Sequence, residues 1–172
     1  MKDNIILIGF MGVGKTEVSK GLAKALNMSI IDTDMEIERE QGRTISQIFS
    51  ENGEEHFRSL ESELLKKLEG VKNHVISTGG GIVLKEKNVS MLKALGPLVL
   101  LSSRPEVIEK RLKGNIGRPL LSGDDPGKKI RETLSKREQI YNSAADFIVD
   151  TSDMPIKEIV KKIIDHLKGA KK

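Results

Sequence analysis

The fold of this chain can be read first from IILIGFMGVGKT, residues 5–16. Four apolar residues at 5–8 run into GFMGVGKT at 9–16, which fits the pattern GxxxxGK[ST] at every required position. Helical periodicity follows directly. The alternative is an ordinary glycine-rich turn that carries a lysine and a threonine by chance. The order of strand, loop and helix favours a loop that binds phosphate.

The chemistry of such a loop follows from its residue types. Glycines allow consecutive backbone N–H groups to turn toward one centre, and the following helix adds the positive end of its dipole. We expect Lys15 to reach the β- and γ-phosphates of a nucleotide and the Thr16 hydroxyl to bind Mg²⁺. Glu17 suits the helix dipole but would repel phosphate unless its carboxylate points away.

Apolar runs alternate with helical periodicity along the whole chain. Strands are predicted at 5–8, 30–32, 75–78, 98–101 and 147–149. The apolar faces of the predicted helices consist of Val18, Leu22, Ala25 and Leu26, then Val89, Leu92 and Leu95, and finally Ile156, Ile159, Val160, Ile163 and Leu167. This rhythm predicts an α/β fold in which helices cover a five-stranded parallel sheet.

A chain of 172 residues is long enough for one α/β domain and too short for two, so a single domain is expected over 1–172. Residues 33–70 are far longer than a crossover needs and contain a capping box at Thr44 and Gln47, which predicts an inserted helical, substrate-binding subdomain. Residues 114–127 hold four glycines and two prolines, which predicts a mobile lid. The core then comprises 1–32, 71–113 and 128–172.

Composition excludes several classes of protein. No cysteine is present, which rules out disulfides, a thiolate nucleophile and Cys-bound metal, and fits a reducing compartment. The net charge is only +4, and one Tyr, four Phe and no Trp offer little for stacking on nucleic-acid bases. No apolar run reaches the roughly 18 residues of a membrane span, and residues 1–4 lead into the first strand without a signal peptide. We expect a cytoplasmic monomer without a nucleic-acid or membrane partner.

Asp32 and Asp34 follow the second predicted strand, at the edge where an open α/β sheet binds its ligands. On an extended chain the two side chains would share one face. Asp32 would then hold Mg²⁺ through water, and Asp34 would accept a hydrogen bond or a proton from a substrate hydroxyl. The alternative is that Asp34 only caps a helix that begins at Met35.

The third predicted strand runs into Gly79, Gly80 and Gly81. Three glycines permit close approach of the backbone and can aim N–H groups at a ligand, although a merely flexible connection has the same composition. An ordinary phosphate-loop enzyme often carries an Asp after this strand. Its absence here strengthens the assignment of the metal to Asp32.

Two arginines stand where apolar side chains are expected. Arg58 shares a helical stripe with Glu61, Leu65 and Leu68, and Arg137 shares one with Ile130, Leu134 and Tyr141. Each guanidinium should therefore face inward and need an anion, and the two together could clamp a planar carboxylate. Glu61 is spaced to pair with Arg58. The alternative for each arginine is a structural ion pair or a side chain that reaches solvent from the edge of the stripe.

Two further arginines are candidates for contact with the nucleotide. Arg118 lies in the predicted lid and could neutralise charge on the transferred phosphoryl group when the lid closes, or it is simply an exposed loop residue. Arg111 either stacks on a base, touches phosphate or is a solvated helix residue.

Several separated motifs together resemble the shikimate kinase family over nearly the whole chain. They are the loop at 9–16, the carboxylates Asp32 and Asp34, GEEHFRSLE at 53–61, the glycines at 79–81, RPLL at 118–121 and REQIY at 137–141. The combination is far more specific than the loop alone. The resemblance implies a three-layer fold with strand order 2-3-1-4-5, like that of nucleoside monophosphate kinases. It also implies transfer of the γ-phosphoryl group of ATP to the 3-hydroxyl of shikimate.

The resemblance implies a role for each matched residue. Shikimate would be bound by Asp34, Arg58, Gly80, Gly81 and Arg137, with its carboxylate on the two arginines. ATP would be bound by Gly12, Val13, Gly14, Lys15, Thr16, Glu17, Arg111, Arg118 and Pro155, with Arg111 and the stretch near Pro155 flanking adenine. Lys15, Asp34 and Arg118 would be catalytic, and Thr16 and Asp32 would hold Mg²⁺. Glu17 departs from the family, which has a small hydroxyl residue there.

Other functions stay open on the sequence. A gluconate kinase, or another kinase of small polyols, has a related fold and substrate class, although the paired arginines and the three glycines favour shikimate. A non-catalytic, nucleotide-gated binding module would keep the loop, but the retained Asp34 and Arg118 speak against it. A nucleoside monophosphate kinase fits less well, and a GTPase is disfavoured because the sequence has no NKxD motif.

Overall fold

The computed structural model describes residues 4–113 and 125–170 and contains a five-stranded parallel sheet in the order β2-β3-β1-β4-β5. The strands are β1 (Ile5–Ile8), β2 (Ser29–Asp32), β3 (His74–Ser77), β4 (Leu98–Ser102) and β5 (Phe147–Asp150). The helices are α1 (Lys15–Leu26), α2 (Thr33–Gln41), α3 (Ile45–Lys67), α4 (Glu86–Leu95), α5 (Pro105–Leu112), α6 (Pro126–Ala144) and α7 (Ile156–Gly169). The predicted fold class and strand order are confirmed, and the predicted strands agree to within one residue at each end.

The sheet is most deeply buried at its centre. Ile6, Leu7 and Ile8 of β1 have no solvent exposure, whereas Ile30 and Ile148 on the two edge strands are exposed. Helices cover the faces of the sheet, as a parallel sheet requires. The central strand β1 also has a neighbouring strand on each side, whereas β2 and β5 each have only one. All five strands run the same way, so the loops that follow them meet along one edge.

The predicted helix faces are largely confirmed, with two corrections. Val18 and Leu22 of α1 are buried as expected, but Ala23 and not Ala25 completes the face. In α7, Ile159, Val160 and Ile163 are buried whereas Ile156 is exposed. Ile156 stands in the first turn of α7, at the margin of the packed interface.

Residues 33–67 are occupied almost entirely by α2 and α3. The predicted capping box is present: the Thr44 hydroxyl accepts from the Gln47 N–H, and the Gln47 side chain accepts from the Thr44 N–H. Gly53 interrupts α3 with φ 82° and ψ 170°, so that α3 consists of two helical segments joined at a kink. The second segment carries Arg58 and Glu61.

Most of the predicted lid, including Arg118, lies outside the described residues. Asp125 caps α6 through its side chain, which accepts from the Lys128 N–H, and Pro126 begins the helix. The helix therefore starts within the segment predicted as lid. Among the described helices none combines the length and the apolar character that crossing a bilayer requires.

Candidate active site

The loop after β1 has the form of an anion site. Gly12 and Gly14 have φ of 77° and 99°, a region that favours glycine, and Gly14 caps α1 without any side-chain hydrogen bond. The first N–H groups of α1 are thus left without a side-chain acceptor, as in helix ends that bind phosphate. The Lys15 ammonium folds back over the loop and donates to the carbonyls of Gly9 (2.7 Å) and Phe10 (2.9 Å).

The neighbouring groups of this loop have defined partners. Arg111 is exposed, and its guanidinium donates to the Gly12 carbonyl (3.2 Å) and to the Thr151 carbonyl (2.7 Å), which ties it to the loop. Glu17 pairs with Lys20 one turn along α1 (2.8 Å), and both side chains are exposed. Thr16 and Pro155 are also exposed, Pro155 at the cap position of α7.

The two carboxylates after β2 differ from the sequence expectation. Asp32 Oδ1 accepts from the N–H groups of Asp34 (3.0 Å) and Met35 (3.1 Å), so Asp32 caps α2 and the alternative that gave this role to Asp34 is wrong. The two side chains also do not share an extended face, because the helix already begins at Thr33. Asp34 sits in the first turn, where the helix dipole favours its negative charge.

Arg58 is buried, with 8% of its surface exposed, and its guanidinium is held by two carboxylates. Nη1 donates to Glu61 Oε2 and Nη2 to Glu54 Oε1, each at 2.9 Å. The predicted pair with Glu61 is confirmed. Burial opposes the charge on Arg58, but Glu61 and Glu54 together raise its pKa above the ordinary value.

Glu61 is fully buried. Burial raises its pKa to about 7, because a carboxylate loses its hydration there, and the nearby Asp34 acts in the same direction. The positive charges of Arg58 and Arg137 both act to lower this pKa. Among the described residues Glu61 Oε1 has no hydrogen-bond partner.

Arg137 is buried as predicted, with 7% exposed, and its guanidinium carbon lies 6.0 Å from the centre of the Phe10 ring. One turn further along α6, the Tyr141 hydroxyl donates to the Gly80 carbonyl. Burial raises the pKa of Tyr141, while Arg137 and Arg58 lower it. Tyr141 therefore links α6, which carries Arg137, to the glycine segment.

Two of the glycines after β3, Gly79 and Gly81, have neighbours too close for a Cβ. An added Cβ on Gly81 would stand 2.3 Å from the guanidinium carbon of Arg58, and one on Gly79 would stand 2.5 Å from Asp34 Oδ1 and 3.0 Å from Glu61 Oε1. The Gly79 N–H donates to the Thr33 hydroxyl (3.0 Å). The segment is thus closely packed by charged groups, and the alternative of a merely flexible connection does not describe it.

Two contacts of the site were not inferred from the sequence. Glu54 could have been found, since it precedes Arg58 by four residues on one helix. Thr151 follows β5 and carries no motif, yet its hydroxyl donates to the Val13 carbonyl (2.8 Å) in the phosphate loop. A contact across 138 residues leaves no local signal in a single sequence.

The described residues contain no cluster of three or more His, Asp or Glu side chains able to hold a metal ion. Thr16 and Asp32 offer one hydroxyl and one carboxylate, which are hard oxygen donors. Such a sparse set suits Mg²⁺, which keeps several waters and takes further ligands from phosphate.

Comparisons with known proteins show which family this chain resembles. A family model for shikimate kinase matches residues 11–168. A shikimate kinase of Pelotomaculum thermopropionicum is 48% identical over 165 residues, which are 96% of this chain and 95% of that protein. The structure of shikimate kinase from Acinetobacter baumannii in complex with shikimate superposes with a TM-score of 0.94 at 36% identity, covering 98% of this chain and 94% of that one. A gluconokinase from Sinorhizobium meliloti reaches a TM-score of 0.60 at 16% identity over 98% of this chain and 93% of that one, a likeness of fold alone.

Proposed function

The chain belongs to the shikimate kinase family, and from this we propose how its own residues carry out the reaction. The protein is an ATP-dependent kinase that transfers the γ-phosphoryl group to the 3-hydroxyl of shikimate. The observation that carries the assignment of residues is the burial of two arginines on α3 and α6: Arg58 packs against Gly81, and Arg137 lies 6.0 Å from the ring of Phe10 in the phosphate loop.

Arg58 and Arg137 bind the carboxylate of shikimate. Planar guanidinium groups match a carboxylate in shape as well as in charge, and Arg58, already paired with Glu61 and Glu54, would share its donors with the substrate. Glu61 and Glu54 hold Arg58 in place, and Tyr141 ties α6 to the Gly80 carbonyl. The contact between Gly81 and Arg58 places the glycine segment beside the guanidinium, where both would meet the substrate.

Asp34 orients the 3-hydroxyl and accepts its proton as the oxygen attacks phosphorus. Little covalent catalysis is needed, because positioning and charge neutralisation dominate phosphoryl transfer. Lys15 and Arg118 stabilise the charge on the transferred group, and the N–H groups of Gly12, Val13 and Gly14 cradle the phosphates. Glu17 would lie next to the phosphates, where its negative charge is repelled. Its ion pair with Lys20 reduces this repulsion.

Mg²⁺ would be held by the Thr16 hydroxyl directly and by Asp32 through water. Asp32 Oδ1 is occupied by the cap of α2, which fixes the carboxylate and fits an indirect contact with the ion. When bound, the ion neutralises charge on the β- and γ-phosphates. Arg111 and Pro155 flank the adenine of ATP.

We also propose a division of the chain and a place for the protein in the cell. Residues 33–70 form the substrate-binding subdomain, and the core comprises 1–32, 71–113 and 126–172. The lid is then 114–125, two residues shorter than 114–127, because α6 begins at Pro126. The enzyme is a cytoplasmic monomer that uses neither nucleic acid nor a membrane as a partner. The absence of cysteine and the modest net charge support this.

The proposal is tested by the release of ADP in a coupled assay with shikimate, gluconate and nucleoside monophosphates. We expect turnover on shikimate to be at least about a hundredfold more efficient than on any other acceptor. An efficient acceptor must place a carboxylate on the two buried arginines and a hydroxyl on Asp34 at the same time. Equal or better turnover on gluconate would contradict it. ATP binding without turnover on any acceptor would favour a binding module.

A further inference from the structure

The side chain of Thr151 lies where three parts of the core meet. It follows β5 directly, only 1% of its surface is exposed, and its N–H donates to the Ser102 carbonyl at the end of β4 (2.8 Å). Its hydroxyl is 2.8 Å from the Val13 carbonyl, 3.1 Å from the Ser102 carbonyl and 3.2 Å from Arg111 Nη1. A hydroxyl has one proton to donate, and the shorter contact assigns that proton to Val13.

Two consecutive carbonyls of the phosphate loop are therefore held from the same side. Thr151 binds the Val13 carbonyl, and Arg111, which also donates to the Thr151 hydroxyl and carbonyl, binds the Gly12 carbonyl. The contact joins residues that are 138 positions apart, so it does not arise from local chain geometry.

Peptide geometry converts these contacts into an orientation of donors. In a planar trans peptide the C=O of one residue and the N–H of the next point in opposite directions. A Val13 carbonyl turned toward Thr151 directs the Gly14 N–H away from it, and a Gly12 carbonyl turned toward Arg111 directs the Val13 N–H away. Gly12 and Gly14 have φ of 77° and 99°, so the flanking backbone can adopt this arrangement without a clash from a side chain.

We propose that Thr151, together with Arg111, forms an anchor behind the phosphate loop that orients the N–H groups of Val13 and Gly14 toward the phosphates of the nucleotide. Thr151 touches no substrate in this account and is a positioning residue. The inference rests on the proposed function for the identity of the ligand. The anchor itself acts on any nucleotide phosphate bound in the loop.

The test compares Thr151→Val, which keeps the shape of the side chain and removes the hydroxyl, with Thr151→Ser, which keeps the hydroxyl. Affinity for ADP is measured by calorimetry, affinity for adenosine by ligand-observed NMR, and KM for ATP and for shikimate by the coupled assay. We expect Thr151→Val to weaken ADP binding and raise the KM for ATP about 5- to 10-fold, the effect of one lost hydrogen bond. Adenosine affinity and the KM for shikimate should stay within about twofold of wild type.

Thr151→Ser should bring ADP affinity back to within about threefold of wild type. Ser90→Ala is the control: it removes an exposed hydroxyl that donates to the Glu86 carbonyl within α4, and it should change none of these affinities. Thr151→Ala replaces the valine variant if that variant is not folded by circular dichroism.

Unchanged ADP affinity in the hydroxyl-free variant overturns the anchor, as does an equal loss for ADP and adenosine. Failure of the wild type to phosphorylate shikimate, with a selective loss of ADP affinity in Thr151→Val, would leave the anchor standing and remove the proposed function.

Discussion

A methyl group on Gly81 would collide with the Arg58 guanidinium, 2.3 Å from its central carbon. The backbone of Gly81, at φ −101°, accepts an alanine, so the whole cost of Gly81→Ala falls on the position of the guanidinium. We expect the KM for shikimate to rise about tenfold or more, because displacing a binding group by about 1 Å is costly. The KM for ATP should stay within about threefold of wild type. Steady-state kinetics provide the measurement.

Gly169→Ala is the control for this variant, since an added Cβ there has no neighbour within 4 Å. An unchanged KM for shikimate in Gly81→Ala would show that the guanidinium does not need its present position.

Glu61 makes stability depend on pH in a defined direction. Its pKa is raised from 4.5 to about 7 in the folded protein, so between these values the native state holds a proton that the unfolded chain has lost. The contribution of Glu61 to the free energy of unfolding is therefore complete below about pH 4.5 and is lost as the pH rises through 7. Glu61→Gln stays neutral at every pH. Its free energy of unfolding should therefore rise relative to that of the wild type by up to about 3 kcal/mol as the pH increases from 5 to 8.

Denaturant unfolding at several pH values measures this difference. Glu63→Gln, an exposed change on the same helix, should show none of it. A difference between Glu61→Gln and wild type that is constant across this range would mean that Glu61 is already ionised at pH 5.

The kink in α3 sets the direction of the helical segment that carries Arg58. Gly53 has φ 82° and ψ 170°, a region almost confined to glycine, and an added Cβ would meet no atom within 4 Å. Gly53→Ala should therefore lower the free energy of unfolding by about 1–3 kcal/mol through backbone strain alone. Urea unfolding checks it against Gly169→Ala, and a stability equal to that of the wild type would contradict it.

Sequence patterns predicted the elements better than their detailed geometry. The alternation of apolar runs located each strand, and the Thr44–Gln47 spacing located the start of α3. The sequence did not predict that Asp32 caps α2. Asp is favoured both at the cap position and in the first turn of a helix, so residue type alone does not decide which of Asp32 and Asp34 is the cap. The helix that carries Arg58 follows Gly53, as its spacing predicts, and the structure joins it at that glycine to the helical segment that begins after Thr44.

In the whole molecule, the site depends on contacts between distant parts of the chain. Periodicity correctly predicted that Arg58 and Arg137 face inward, because burial is a property of one helix face. Periodicity alone could not predict that Arg58 packs against Gly81, or that Thr151 reaches the phosphate loop, because those contacts follow from how helices and strands pack. The sheet order β2-β3-β1-β4-β5 came from the family resemblance and is confirmed.

The proposed site makes one demand on its substrate, which is a negative charge opposite Arg58 and Arg137. Comparison of kcat/KM for shikimate with kcat/KM for its carboxamide, in the wild type and in Arg137→Ala, measures that demand. We expect the wild type to prefer shikimate by about 30-fold to several thousandfold, and Arg137→Ala to lose at least about tenfold of the preference. Arg39→Ala, which removes an exposed arginine of α2, should keep the full preference. A wild type that accepts both compounds equally, or a preference unchanged in Arg137→Ala, would contradict the account.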